Sequence, residues 1–334
     1  MISLRGLMIY AIIFLLLWAI ERRYFRLAQH YNIVTKQSSR SSHTGTGIQG
    51  GGIIFLFGAL LYYFLFPECN YNSWAMAGLL LIGVVSYIDD VRPLSIKIRL
   101  IAQFLAVLLM FMQLGLIGHA SWWVIALALI GCVGMINAYN FMDGINGITG
   151  GYSLAVLLPL IYLNFREEYI CMPYLYVAGI SLLVFCFFNF RKRALCFAGD
   201  VGAISMSFIL LFALGMLIIS TRGYYYVTFL ALYGVDAVMT IFHRMLLHEN
   251  LGEAHRKHAY QLMANELRLP HLVVATFYMG CQLLISAGLL FLPVNPYLYM
   301  GIVVGALAIA YILFMKRYYH LHAEYLKSLE TKKK

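Results

Sequence analysis

Residues 196–220 read CFAGDVGAISMSFILLFALGMLIIS. From Gly202 to Ile219 the stretch has no charged side chain. At about 1.5 Å per residue, such a helix crosses most of a hydrocarbon core of about 30 Å. Its one charge, Asp200, stands just before the apolar run, between Gly199 and Gly202. Outward from here the pattern repeats. Apolar runs fall at about 4–20, 50–66, 74–88, 98–118, 121–141, 147–164, 171–190, 202–219, 224–242, 272–292 and 296–316. Of the 334 residues, 62% are hydrophobic and 11% charged. A water-soluble domain is about a quarter charged, so that class is excluded. The expectation is an all-α, polytopic integral membrane protein with about 11 transmembrane helices.

The first run has Arg5 inside it and no small-residue cleavage site after it, so it is read as an uncleaved span. Basic residues set the orientation, because short loops rich in Lys and Arg stay on the cytoplasmic side. All of the 24 Lys and Arg residues except Arg5, Arg166 and Arg222 fall on one side of an eleven-span path. The N-terminus is therefore expected outside and the C-terminus in the cytoplasm. The net charge of +10 calls for no nucleic acid, since basic inner loops against anionic membrane lipids account for it. Residues 1–334 read as one transmembrane domain, with a large cytoplasmic loop at 243–271 and a basic cytoplasmic tail at 317–334.

The cysteines carry no CxxC or metal-type spacing. Cys69 and Cys171 share the outer side, where a disulfide is one reading and two unpaired thiols the expected one.

The acids are more telling. Four of the five aspartates (Asp89, Asp90, Asp143 and Asp200) lie at inner ends of spans; Asp236 lies within the ninth span, nearer its inner end. Asp89-Asp90 closes the third span in SYIDDVRPLSIKIR, where adjacent carboxylates need cations, a metal or water beside them. In MINAYNFMDGINGITGG, Asn137, Asn140 and Asp143 are three apart and make one polar stripe on the fifth span. Such a stripe is costly in a membrane unless it meets partners or a cavity; helix–helix adhesion is the plain alternative. Gly144 and Gly147 permit a sharp turn around Asn146. Asp200 precedes the eighth span, where a helix start offers free N–H groups to an anion or is capped by the carboxylate itself.

The loop 243–271 gathers His243, Arg244, His248, His255, Arg256, Lys257 and His258. His255 and His258 would share a face of a helix. Zinc lacks Cys and a compact third ligand here, so a cationic cradle for phosphates is the better fit. Acids, amides and cations brought to one membrane face point to a metal–phosphate site.

On these residues the chain resembles the polyprenyl-phosphate N-acetylhexosamine-1-phosphate transferases, glycosyltransferase family 4. The motifs in order are RSSHTGTGIQGGG, SYIDDVRPLSIKIRLIAQ, NAYNFMDGINGITGG, FAGDVGAISMSF, GVDAVMTIFHR and EAHRKHAYQ. The last resembles the branch that starts O-antigen or capsule repeat units. The resemblance implies transfer of a sugar-1-phosphate from a UDP-N-acetylhexosamine to undecaprenyl phosphate, with release of UMP. It also implies magnesium, or manganese in its place, and the inner membrane of a bacterium as the setting. By position, Asp89 and Asp90 match the catalytic pair and Asp200 the magnesium ligand. Asn137, Asn140 and Asp143 would line the nucleotide and metal pocket. Lys97 suits a phosphate, and His255 and His258 match the histidine motif for the donor's phosphates. Arg40 and His43 fall in the first inner motif, and Asp236 and Arg244 in the span-nine motif. Two residues depart from the pattern: Asn146 stands where many relatives have Asp, and Ala203 where many have Ser. A homodimer stays open.

Two rival classes make different demands. A transporter using Asp236 as coupling residue requires polar residues continuing to the outer face and an inverted repeat. A non-catalytic assembly scaffold would have no need of an intact aspartate set.

Overall fold

The computed structural model describes residues 4–33, 47–69, 73–250, 252 and 255–333. Arg40 and His43 lie outside the described residues. Each of the eleven apolar runs contains a helix. In chain order these are α1 (Leu4–His30), α2 (Ile54–Leu65), α3 (Ser73–Val91), α4 (Ile96–Gln113), α5 (Trp122–Met142) and α6 (Ile148–Glu167). They continue with α7 (Met172–Asn189), α8 (Gly199–Thr221) and α9 (Ala231–Leu246). A short α10 (Ala259–Asn265) sits in the expected loop, before α11 (His271–Phe291) and α12 (Pro296–Lys333). Among the described residues, nine helical stretches are long and apolar enough to cross a membrane, and Gly51–Leu65 is a shorter apolar one. The protein is a multi-pass, all-α membrane protein.

α8 is the centre of the bundle. Its apolar window is 78% buried, against 17% for α12, so α8 is wrapped by other helices while α12 faces lipid. A helix enclosed on all sides needs small residues where backbones approach. A Cβ on Gly202 would lie 2.6 Å from the Cα of Gly52, in the 3-10 turn Gly51–Ile53, so the two glycines press backbone to backbone. A parallel bridge between Ile48 and Cys196 extends this contact. The segment before α2 is thereby fixed to the segment before α8.

Two expectations change. Cys69 and Cys171 form a disulfide with a Cα–Cα distance of 5.9 Å, in place of two unpaired thiols. The cause is packing: α2 and α7 run side by side, and the Tyr62 hydroxyl donates to the Cys69 carbonyl while its ring meets Tyr174 edge-on. The basic tail continues α12 as helix through Lys333. At about 1.5 Å per residue that helix is far longer than a bilayer core is thick. His322 in this extension pairs with Glu266 at 2.6 Å, which ties it to the segment after α10.

The bond closes a loop of 102 residues, for which the chain-entropy estimate is about 4–5 kcal/mol. Denatured, unreduced protein is expected to expose four of its six thiols to maleimide, and all six after reduction. Cys69→Ser should lower resistance to thermal unfolding in detergent. Six reactive thiols without reductant would exclude the pairing.

Candidate active site

The site begins where α3 ends. Asp90 accepts hydrogen bonds from the backbone N–H groups of Asp200 (2.9 Å) and Val201 (3.0 Å), and from Gln49 Nε2 (2.9 Å). The first amides of α8 are thus capped by a carboxylate from another helix, which complements the positive end of the helix dipole. Ala198, at the N-cap position, supplies no side-chain bond. The sequence left the cap to Asp200 itself or to a bound anion; Asp90 holds that place. Gly199 is required twice over. Its φ is +70°, and a Cβ would stand 2.5 Å from Asp90 Oδ2.

Asp89 turns the other way. Its Oδ1 accepts the Leu94 N–H at 2.5 Å, and its Oδ2 accepts Arg99 Nη1 at 2.9 Å. The same Nη1 lies 3.4 Å from Asp200 Oδ2, so one guanidinium nitrogen bridges two carboxylates. Asn140 contributes an amide hydrogen bond to Asp200. α5 stops at Met142, and Asp143 beyond it accepts Thr149 Oγ1 at 2.5 Å and the Gly199 amide. Desolvation, with the negative charge of Asp90 nearby, pushes Asp143 up to about 7, despite those two hydrogen bonds. Asp89, Asp90, Asp143 and Asp200 are therefore drawn together at neighbouring helix ends, with one guanidinium bridging Asp89 and Asp200.

The stripe on α5 divides. Asn137 Nδ2 donates to Gln103 Oε1 on α4 at 2.7 Å and to the Val133 carbonyl at 2.8 Å, which is interhelical adhesion. Asn140 and Asp143 face the aspartate cluster. Asn146 donates to the carbonyls of Arg191 (3.0 Å) and Lys192 (3.3 Å). An aspartate there could only accept, so the departure at 146 suits the loop it binds. Ala203 is fully buried in the first turns of α8. Lys97 is exposed at the start of α4.

The loop after α9 is arranged around Asp236. Its Oδ1 accepts the Ala259 N–H and Thr240 Oγ1 and meets His258 Nδ1, each at 3.2 Å, and its Oδ2 accepts the Tyr278 hydroxyl at 2.6 Å. With Asp236 on Nδ1, Nε2 is the ring's other functional atom, and it has no hydrogen-bond partner among the described residues. Because α10 begins only at Ala259, His255 and His258 do not share a helix; their rings nonetheless lie 5.1 Å apart and each 6.3 Å from Phe141. Tyr260 donates to the Phe141 carbonyl at 2.8 Å, which seats α10 on the same α5–α6 turn that carries Asp143.

The other cations of the loop serve elsewhere. Arg244 is buried and binds Glu249 (3.2 Å) and the Asn250 carbonyl (2.5 Å), and Lys257 pairs with Glu249. Although burial opposes it, Lys257 and Arg244 hold the Glu249 carboxyl below its ordinary range. Arg256 stacks over Tyr325 of α12 at 5.4 Å. The expected cradle is divided: the histidines face the α5–α6 turn and the longer cations brace the loop.

Arg99, Gln49 and Thr149 were missed by the sequence reasoning. For Arg99 a signal existed: Ser95, whose Oγ accepts the Ile98 N–H, is an N-cap that fixes the register of α4. Gln49 and Thr149 act through contacts that only tertiary structure supplies.

Fold and site together define a polytopic all-α membrane protein with a carboxylate-lined site where the ends of α3 and α5 meet the start of α8. Residues 72–221, which include all four clustered aspartates, match glycosyl transferase family 4. The chain is 25% identical over 283 residues, 78% of each sequence, to the probable undecaprenyl-phosphate N-acetylglucosaminyl 1-phosphate transferase of Bacillus subtilis. It is 28% identical over 218 residues to the undecaprenyl-phosphate alpha-N-acetylglucosaminyl 1-phosphate transferase of Yersinia pestis, covering 59% of this chain and 58% of that one. To the phospho-N-acetylmuramoyl-pentapeptide-transferase of Thermotoga maritima it is 25% identical over 177 residues, 48% of this chain and 57% of the relative. With several such relatives the match spans little more than half of their length.

Asp236→Ala would strand a buried histidine, an amide and a phenol, a loss of about 3–5 kcal/mol by analogy with broken buried pairs. The expected readouts are a lower thermal midpoint in detergent and faster proteolysis within 247–258. Unchanged cleavage would separate Asp236 from the loop.

Proposed function

We propose that the protein transfers an N-acetylhexosamine-1-phosphate from a UDP-sugar to undecaprenyl phosphate, releasing UMP. The reaction would open a lipid-linked cell-surface glycan such as O-antigen or capsule; the EAHRKHAYQ sequence, similar to that branch, motivates this choice. The observation that carries the reading is the gathering of Asp89, Asp90, Asp143 and Asp200 at neighbouring helix ends, with Arg99 bridging Asp89 and Asp200. A lipid-borne phosphate and a water-soluble donor can meet only at such a surface. The basic-residue bias supports the cytoplasmic face, and the disulfide, in loops at the opposite helix ends, supports an oxidising compartment on the other side.

The donor set suits magnesium. Among the described residues no three His, Cys, Asp or Glu side chains form a metal-holding group on their own. Magnesium is commonly held by one or two carboxylates with substrate phosphates completing its shell. Asp200 is the best placed, with 24% of its side chain exposed, the Asn140 amide beside it and a loose ionic contact of 3.4 Å. The ion would supply charge neutralisation to the donor diphosphate, the main need of phosphoryl transfer.

The chain's own residues do the rest. Asp90, with three hydrogen bonds, fixes the start of α8 and so positions Asp200. Asp89 is ion-paired to Arg99, and the lipid phosphate, already largely ionised near neutral pH, attacks directly. An oxygen of that phosphate attacks the phosphorus next to the sugar, the bond from that phosphorus to the bridging oxygen breaks, and UMP leaves carrying that oxygen. His258, oriented by Asp236, is assigned with the neighbouring His255 to the donor's phosphates. The transporter reading needs Asp236 available for coupling, whereas its two oxygens are taken by four partners.

The test supplies a panel of UDP-sugars with undecaprenyl phosphate to purified protein. UMP release should require the lipid phosphate and a divalent ion. Asp200→Asn should lower turnover by roughly 10³-fold or more, as expected for loss of a principal electrostatic group. Near-normal turnover would remove Asp200 from the metal role, and sugar uptake into vesicles without a lipid-linked product would refute the reaction.

A further inference from the structure

We infer that Arg99 is the resident counter-cation of the aspartate cluster: it holds Asp200 against Asp89 until a divalent ion takes over Asp200, then stays on Asp89 and offers its free edge to the acceptor's phosphate. The inference rests on the transferase reading and deepens it by giving the lipid phosphate a binding partner.

The two contacts of Nη1 are unequal. Asp89 is the tighter partner at 2.9 Å, its side chain is 8% exposed, and the Leu94 amide fixes its other oxygen. Asp200 is the looser one, at 3.4 Å and 24% exposed. A competing cation therefore detaches Arg99 from Asp200 first. The remaining carboxylates are already committed, Asp90 to Gln49 and the α8 amides, Asp143 to Thr149 and Gly199. Asp200 keeps the Asn140 amide and has one loose ionic partner, Arg99, to exchange.

Arg99 also has capacity to spare. Among the described residues its Nη2 and Nε have no protein partner, and a quarter of its side chain reaches solvent. A guanidinium presents parallel N–H donors that match a phosphate in two-point contact. Held by Asp89, that edge is fixed next to Asp200, the position an acceptor phosphate must reach to attack a metal-bound donor. Lys97, the residue marked by sequence, is exposed and two positions away.

Mn²⁺ binding to purified, substrate-free protein in detergent, followed by electron paramagnetic resonance, tests the first half. Removing the competing charge in R99Q should tighten Mn²⁺ roughly tenfold and enlarge the rise in Tm that Mn²⁺ produces. Equal or weaker binding by R99Q would overturn the counter-cation role. For the second half, R99Q should raise KM for undecaprenyl phosphate roughly tenfold while KM for the donor changes little. An unchanged acceptor KM would overturn it. R99K keeps the charge and loses the planar fork, and it carries the test should R99Q fail to fold. It should bind Mn²⁺ nearly as wild type does and still show the raised acceptor KM; a tenfold tighter Mn²⁺ or a normal KM would count against the proposal. Wild-type Mn²⁺ binding that Asp200→Asn leaves unchanged would overturn the metal assignment along with this inference. Asp200-dependent binding that ignores Arg99 would overturn this inference alone.

Discussion

Three hydrogen bonds to the carboxylate of Asp90 hold the functional end of this protein together. α8 is enclosed by its neighbours, so its first N–H groups cannot turn to bulk water, and an unmet buried donor costs about 1–3 kcal/mol. Asp90 meets two of them from α3 and binds Gln49 with its remaining capacity. Gln49 is itself held, through its carbonyl, by the Tyr24 hydroxyl of α1 at 2.7 Å. One side chain therefore joins α1, α3, α8 and the turn before α2. The glycines nearby follow from it, since Gly199 must clear the carboxylate and Gly52 and Gly202 must let the two backbones touch.

This arrangement divides the aspartates by task. Asp90 and Asp236 are structural organisers, one for α8 and one for the loop that ends in His258. Asp143 is held by a hydroxyl and an amide at the α5–α6 turn, and burial, with the charge of Asp90 nearby, raises its pKa. Asp89 and Asp200 share the only guanidinium in contact with them among the described residues. Several carboxylates and one cation make an environment short of positive charge, and a metal–phosphate substrate complex brings what is lacking. The proposed reaction and this electrostatic imbalance thus point the same way.

Much of this was legible in the sequence, for identifiable reasons. The spans could be read because a bilayer demands long apolar runs, and the cluster because charge at span ends is costly and sparse. What each acid does could not be read. A carboxylate capping a helix from another helix leaves no local pattern, so Asp90 looked like a free partner of Asp89. The stripe of Asn137, Asn140 and Asp143 gave the correct face but not its division between Gln103 and the cluster. The histidine loop resisted for another reason: its backbone is irregular up to Ala259, and the cations in it separate according to partners such as Glu249 and Tyr325 that lie apart in sequence. Asn146 looked like a departure until the Arg191 and Lys192 carbonyls supplied its purpose.

The disulfide between Cys69 and Cys171 has a consequence for how the protein is made. It fastens the turn after α2 to the start of α7, at the helix ends away from the aspartates. In the proposed orientation those ends emerge on the export side of the membrane, out of reach of cytoplasmic reductants. Completion of the chain then depends on two compartments in turn: insertion from one side, and thiol oxidation on the other. A cell lacking the second activity would still insert all the helices and assemble the aspartates, but would leave the bundle unfastened at its far end.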